Sequence, residues 1–338
     1  MRVAIIGSGI CGLYLAKSLS QKGHEVFLFE RKETLGEKAC SALYSERIFD
    51  FLPFAKDFIE NEIKFCKIIF PKKEIKLKFK KRFFVFNRKK IEERLFEELL
   101  KEKKAKIFLK TEIKEENLKE MEEKDFERII GIDGANSVVR KYLGKKIFSP
   151  FLGILTIFEK PNFSDCTKVF PTQKGFIWEI PRGETTEYGI LEVGEMAKKI
   201  LNDFLEKKNL KNFSQIKSAP ILIDDFWIPK NEKITLCGES AGMIKPWSGG
   251  GIIWGLFGAK ILLESFPNFF LYKKRVERFF KKQVLISRII KKSIYFLGFR
   301  FPFLLSGHYF VDGDFFSIHD IVREFFSNKV ESSECKLE

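Results

Sequence analysis

Histidine and paired cysteine are what this chain has least of. Its three histidines, at 24, 308 and 319, show neither metal-ligand spacing nor a catalytic-triad arrangement, so all three read as structural or surface residues. Six cysteines stand at 11, 40, 66, 166, 237 and 335 without a CxxC pair. That excludes a zinc ribbon and a disulfide framework and points to reduced thiols. No metal site is expected. Acidic residues are also short, with 46 Asp and Glu against 61 Lys and Arg, a formal charge of +15. Such a balance attracts nucleic acid, anionic membrane surfaces or acidic substrates. With no zinc-finger spacing and no aromatic-interleaved RNA motif, no nucleic-acid partner is expected. Spanning segments are missing too. The apolar run within 244–263 is broken by Gly255, Gly258 and Lys260, and the one near 294–305 holds Arg300 and Pro302 and is too short. The first residues form a strand and turn rather than a leader, so the expected location is the cytoplasm.

Disorder is excluded as well, because 45% of the 338 residues are hydrophobic. Phenylalanine is abundant, at 39 against 7 Tyr and 4 Trp, and composition favours a Phe-rich core over a large apolar cavity.

The most informative stretch is MRVAIIGSGICGLYLAKSLSQKGHEVFLFER. Arg2 to Ile6 reads as an apolar strand, and Gly7, Gly9 and Gly12 fit GxGxxG. A helix follows from about Leu13, and a second strand, Glu25 to Phe29, ends in Glu30 and Arg31. Gly7 allows the tight turn, Gly9 the approach of a pyrophosphate, and Gly12 close helix–strand packing. The helix N-terminus offers N–H groups to phosphates, and Glu30 can accept from ribose hydroxyls. With strand, helix, second strand and acid all in place, a dinucleotide site is expected.

Three further segments carry a resemblance. RIIGIDGANSVVRKYLG, residues 128–144, holds Asp133, Gly134, Ser137 and Arg140. ITLCGESAGMIKPWSGGGIIWGLFGAKILLE, residues 234–264, holds Gly238, Glu239, Pro246 and the triplet Gly249, Gly250, Gly251. In FFVFNRKKIEERLFEELL, a strand leads to Arg88 and a helix with Leu95 and Leu99 on one side. Together these resemble the FAD-binding segments of the flavin-dependent hydroxylase and reductase superfamily, in the same order. The resemblance implies FAD as cofactor, an arginine (Arg88) near the flavin, and a carboxylate on the ribityl chain. Here that carboxylate is Glu239 where the family usually has Asp, which adds one methylene. Pro246 and Trp247 would shape the turn, and the three glycines would leave N–H groups bare at a helix start, where a side chain would collide with the flavin ring.

Two segments narrow the resemblance. KACSALYSER, residues 38–47, and PTQKGFIWEIP, residues 171–181, resemble stretches of geranylgeranyl reductases. The resemblance places Cys40 beside the flavin and makes the strand with Phe176, Trp178, Ile180 and Pro181 a lining for the prenyl chain. Period-2 alternation puts Phe176, Trp178 and Ile180 on one face, which an ordinary packed sheet would also show. The implied activity is saturation of C=C bonds in prenyl lipids. Cys40, Tyr44 or water would give the proton, and nicotinamide, deazaflavin or ferredoxin the electrons. A flavin-dependent hydroxylase and a non-catalytic flavin- or lipid-binding protein remain alternatives.

The expected fold is α/β: a Rossmann-like FAD-binding domain, discontinuous over 1–60, 85–147 and 228–268, with an antiparallel substrate sheet at 61–84 and 148–227. A basic helical segment at 269–330 and a polar tail at 331–338 complete it. In KEIKLKFKKRFFVF, Ile75, Leu77 and Phe79 alternate with Lys76, Lys78 and Lys80, the pattern of an edge strand guarded by lysines. Residues 271–300 hold ten Lys or Arg and one Glu, with apolar residues at 272, 276, 279, 280, 286, 290 and 294. Such a helix either packs on its domain or lies on an anionic bilayer as a peripheral contact.

Overall fold

A computed structural model describes residues 1–146, 151–210 and 216–316. His319, Cys335 and the expected tail at 331–338 lie outside the described residues. The strands are β1 Arg2–Ile6, β2 Glu25–Phe29, β3 Leu43–Ser45, β4 Ile59–Phe70, β5 Lys73–Phe86, β6 Ala105–Phe108 and β7 Arg128–Gly131. They continue as β8 Phe151–Phe158, β9 Cys166–Pro171, β10 Phe176–Pro181, β11 Thr186–Val193, β12 Lys217–Pro220, β13 Ile234–Leu236 and β14 His308–Val311. The helices are α1 Ile10–Gln21, α2 Arg88–Leu100, α3 Glu115–Glu120, α4 Val138–Tyr142, α5 Met196–Lys207, α6 Ile252–Ser265 and α7 Phe269–Arg300.

The chain forms two compact units. The first takes residues 1–37, 88–149 and 221–284, and the second takes 38–87, 150–220 and 285–338. Residues 38–60, read with the nucleotide domain in the sequence, fall in the second unit, because Leu43, Tyr44 and Ser45 pair with Val85, Phe84 and Phe83 of β5. The C-terminal segment is not a separate body either: the division between units falls inside α7, after Val284.

In the first unit, five parallel strands run in the order β13-β7-β1-β2-β6. Parallel strands covered on both faces need continuous apolar runs, and β1 supplies one: Val3, Ala4 and Ile5 are fully buried. Val3 pairs with both Val26 and Arg128, which brings the ends of β1 and β7 together under the start of α1. Helix α1 begins at Ile10, three residues before the expected Leu13, because Gly9 with extended backbone already serves as its N-cap.

The second unit holds a sheet in the order β12-β8-β11-β10-β9-β4-β5-β14, with β3 also on β5. It is mixed rather than purely antiparallel, since β4 with β9 and β5 with β14 run parallel. Strand β5 is therefore not an edge. His308 to Val311 pair with Lys76 to Phe79, and the lysines partly cover aromatic rings: Lys76 Nζ lies 4.5 Å from the Phe65 centroid and Lys78 Nζ 5.3 Å from that of Phe310. Ile177, Tyr188 and Ile190 pack against Ala197, Leu201 and Leu205 of α5, which roofs one face of the sheet.

Candidate functional site

The glycine turn of the first unit sorts its glycines by what surrounds them. A Cβ on Gly12 would stand 2.1 Å from the Gly7 carbonyl oxygen, so Gly12 exists for helix–strand contact. Gly7 has φ +111, and a Cβ there would meet the Ile132 carbonyl oxygen at 2.7 Å. Gly9 differs. The nearest atom to its Cβ position is Arg88 Nη2 at 3.9 Å, so the space before it is open. That opening lies at the start of α1, which has no side-chain cap and no acidic residue in its first turn. Open space, an uncapped helix start and a guanidinium together suit an anionic pyrophosphate.

Arg88 is held for that place. Its Nε and Nη2 donate to Glu92 Oε1 at 2.8 and 2.6 Å, while Glu92 Oε2 accepts from the Gly36 N–H at 2.7 Å. Glu92 is 3% exposed and one turn after Arg88, so the pair is aligned by helix spacing and shielded from water. Glu30, at the end of β2, accepts from the Ser8 N–H at 2.9 Å and the Ser8 hydroxyl at 2.8 Å through Oε2, and from the Lys32 N–H at 3.0 Å through Oε1. Its carboxylate is thereby fixed beside the glycine turn, at the place where ribose hydroxyls are expected. Arg31 points into solvent.

Asp133 follows β7 and lies against Gly7, its Cα 2.9 Å from that glycine's Cβ position. Its Oδ2 accepts from the Val138 N–H at 2.7 Å, but Oδ1 is buried with no hydrogen-bond partner. Burial raises the Asp133 pKa above the usual carboxylate range. An orphaned buried acceptor beside the turn is what a chain built around a polar ligand leaves behind. Gly134, with φ +83, makes the turn that follows. Ser137 and Arg140 prove structural. The Ser137 hydroxyl caps α4 by accepting from the Arg140 N–H at 3.0 Å. The fully buried Arg140 donates to the Ser240 and Asp225 carbonyl oxygens, both at 2.9 Å, and pairs with the Asp225 carboxylate at 2.8 Å.

After β13, Gly238 turns the chain with φ +66, and the half-exposed Glu239 follows. Pro246 is buried. The glycine triplet is less bare than the sequence suggests. Gly249, at φ +69, donates its N–H to the Lys245 carbonyl at 2.9 Å, and the Gly250 N–H reaches the Ser248 hydroxyl at 3.3 Å. The Lys245 N–H in turn donates to the Gly250 carbonyl at 3.0 Å. Gly250 and Gly251 leave room for neighbouring side-chain ends: a Cβ would meet Lys245 Cε at 2.9 Å or Ile244 Cδ1 at 2.4 Å. Gly251 caps α6 without a side-chain bond, and Trp254 and Leu256 of that helix are fully buried. Lys245 is itself buried, 6% exposed, beside this loop. The opening before Gly9, Arg88, Glu30 and the orphaned Asp133 oxygen fit an adenine dinucleotide such as FAD, with Lys245 and the 249–251 loop supplying positive potential.

The second unit carries the remaining candidates. Cys40 Sγ lies 3.4 Å from the Tyr44 hydroxyl, so the two residues named from sequence are in contact. The Ala42 N–H also donates to Cys40 Sγ at 3.4 Å, and Tyr44 stacks on Phe86 at 5.6 Å. Phe176 and Trp178 share a face, with ring centroids 6.0 Å apart, and Ile180 joins Ile63, Phe83 and Val85 in a buried cluster on which Trp178 rests. The indole packs against Gly189, where a Cβ would come within 2.2 Å of it. Pro181 ends the strand and pairs with Thr186.

Sequence reasoning missed a buried cluster beneath these residues. The indole N–H of Trp178 donates to Glu187 at 2.8 Å, and Arg182 pairs with the other oxygen of Glu187 at 2.8 Å and with Glu60 at 2.6 Å. Arg182 also donates to the Ser41 carbonyl at 2.9 Å and the Phe86 carbonyl at 3.1 Å. One guanidinium thus ties the loop between Cys40 and Tyr44 to the strand carrying Trp178. The available signal was weak: an Arg directly after Trp-x-x-Pro, and two acids, Glu187 and Glu192, in a strand buried along most of its length. Cys66 and Cys237 are no rivals to Cys40, since burial pushes both thiols up to about 12. Among the described residues, no group of His, Cys, Asp and Glu is arranged to hold a metal, and no helix is long and apolar enough to cross a membrane.

Residues 5–54 match the NAD(P)-binding Rossmann-like domain family. A digeranylgeranylglycerophospholipid reductase of Methanococcus vannielii is 24% identical over 79% of this chain and 77% of its own length. An enzyme of the same name from Methanosphaera stadtmanae is 24% identical over 84% and 80%. An uncharacterised protein of Methanocaldococcus jannaschii is 28% identical, over half of each chain. Among solved structures, a geranylgeranyl bacteriochlorophyll reductase-like protein from Thermoplasma acidophilum superposes with a TM-score of 0.77 at 19% identity, covering 96% of this chain and 95% of its own. A probable FAD-dependent monooxygenase from Pseudomonas aeruginosa gives 0.64 at 14%, covering 88% and 95%. The resemblance to geranylgeranyl reductases read from the sequence and the α/β fold with its Rossmann-like half are therefore borne out.

Proposed function

We propose that this chain is an FAD-dependent oxidoreductase that saturates C=C bonds in the prenyl chains of isoprenoid lipids. The observation that carries the reading is the opening before Gly9 flanked by Arg88, in a chain similar over most of its length to enzymes named as reductases of such lipids. Bound FAD, once reduced, supplies a hydride equivalent for one carbon of the double bond. The protein's share is to hold the dinucleotide through the Gly7–Gly12 turn, Glu30 and Arg88, and to keep a prenyl chain on the apolar face of Phe176, Trp178 and Ile180. An isolated C=C bond is a poor hydride acceptor, so alignment and exclusion of water carry much of the barrier reduction. The second carbon needs a proton. Cys40 and Tyr44, within 3.4 Å of each other, are the groups offered for it. Electrons come from an external donor, a nicotinamide, a deazaflavin or a ferredoxin.

The test is incubation of FAD-loaded, dithionite-reduced protein with an unsaturated prenyl glycerophospholipid, read by mass spectrometry. Mass gains in steps of two hydrogens are expected. Oxygen uptake with a hydroxylated product would replace this reading with a monooxygenase, and a flavin-bound protein that never alters prenyl mass would make it a binding protein.

A further inference from the structure

Most of the positions expected to make a membrane-facing stripe on α7 turn inward, while Phe279 stays exposed. Tyr272, Val276, Phe280 and Ile286 are buried, and Ile294 packs with Leu297 on Phe70, Ile75 and Leu305. A second set of apolar residues, in the second unit, faces outward. Leu285, Ile289 and Phe296 are exposed at spacings of four and seven, one stripe of the helix. The stripe continues past the helix end into Phe301, Phe303 and Leu304, with Phe303 77% and Leu304 60% exposed. The rings of Phe296 and Phe301 stand 5.7 Å apart and those of Phe301 and Phe303 6.3 Å, so this is a contiguous aromatic surface rather than scattered side chains.

This protrusion is rigidly seated. A Cβ at Gly298 would meet the Phe70 ring at 2.4 Å, Phe299 packs on the same ring at 5.2 Å, and the Tyr295 hydroxyl donates to the Gly175 carbonyl at 2.6 Å. The charge along this segment has one sign, and the exposed Glu74 of the adjacent β4–β5 hairpin is paired with Lys67 at 3.1 Å. Between Leu285 and Val311 there are four Lys or Arg and no Asp or Glu. Lys292 and Arg300 are exposed alongside the rings, and the β4–β5 turn that begins after Phe70 carries exposed Lys72.

We propose that the exposed surface of Phe296, Phe299, Phe301, Phe303 and Leu304, rimmed by Lys292 and Arg300, docks this protein on an anionic lipid bilayer. Aromatic and aliphatic tips enter the acyl boundary while the cations meet lipid headgroups. The excess of positive charge along this segment selects this occupant over a second copy of the chain, whose identical cationic rim would repel. The proposal does not rest on the reductase reading, and its test needs no turnover.

The experiment is co-sedimentation of the full chain with vesicles of mixed phosphatidylglycerol and phosphatidylcholine, against pure phosphatidylcholine. Binding to the anionic vesicles only, weakened by salt, is expected. The double variant Phe303→Ser, Leu304→Ser should bind at least about tenfold more weakly, as loss of two insertable side chains implies. Its melting temperature should be unchanged, because both residues are exposed. Arg300→Glu should weaken binding without that apolar loss. Absence of binding to anionic vesicles, or wild-type binding by both variants, would overturn the proposal. So would a concentration-dependent dimer that the double variant abolishes, since the surface would then be a self-association face.

Discussion

Gly9 and Gly12 stand three residues apart in one motif and answer to different constraints. The space beside Gly9 is empty to 3.9 Å, whereas a Cβ at Gly12 would be driven to 2.1 Å from a carbonyl oxygen. Gly12→Ala should therefore lower stability by about 1–3 kcal/mol, the usual cost of overpacking, measured by urea denaturation. Gly9→Val should leave the unfolding midpoint nearly unchanged and weaken FAD binding by about tenfold or more, measured by fluorescence titration, because its side chain would fill the ligand's space. Equal effects on both properties would mean that the motif only packs α1. The open backbone at Gly9 was legible from spacing alone, because GxGxxG acts through local backbone. The orphaned oxygen of Asp133 was not, because its burial depends on β1, β7 and α4 meeting.

Strands and helices carried their own positions well where periodicity was strong. Strands β1 and β2 span Arg2–Ile6 and Glu25–Phe29 as read. Where the neighbour decides, the pattern misled: the lysine alternation in β5 suggested an edge, yet β14 returns from beyond residue 300 to pair with it. The tie between β10, β11 and the loop at residue 41 has the same character, since its parts lie 141 residues apart. Arg182→Met would leave Glu187 buried without its cation, and stability should fall by about 3–5 kcal/mol near neutral pH. Burial raises the Glu187 pKa above 4.5, so a protonated Glu187 is the cheaper form without Arg182. The deficit should therefore shrink as pH falls toward that value and widen as pH rises. A pH-independent deficit in denaturant titrations would show that the arginine acts by packing alone.

The two units are each assembled from three stretches of chain, so neither is complete until residues beyond 220 are made. The proposed nucleotide site draws on Gly9, Arg88, Asp133 and Gly238, and a ligand bound there would join stretches that the sequence separates. FAD at a hundred times its dissociation constant should then add about 2.7 kcal/mol to unfolding of the first unit, seen as a rise in melting temperature that tracks ligand concentration. No rise, with NAD and NADP equally silent, would remove the dinucleotide reading altogether.

Glycine spacing, strand–helix alternation and the order of the motifs were readable from the chain because each depends on φ angles and periodicity within a few residues. So were the scattered thiols and the excess of positive charge. The partner of Arg88 within its own helix was in principle readable too, at a spacing of four. Folding alone decided which residues share one buried charge, as Arg182, Glu187 and Glu60 do, and which apolar face of α7 turns outward. The reason is common to both. Burial and ion pairing are set by contacts between segments far apart in sequence, and no local pattern records which of two apolar stripes will find a partner.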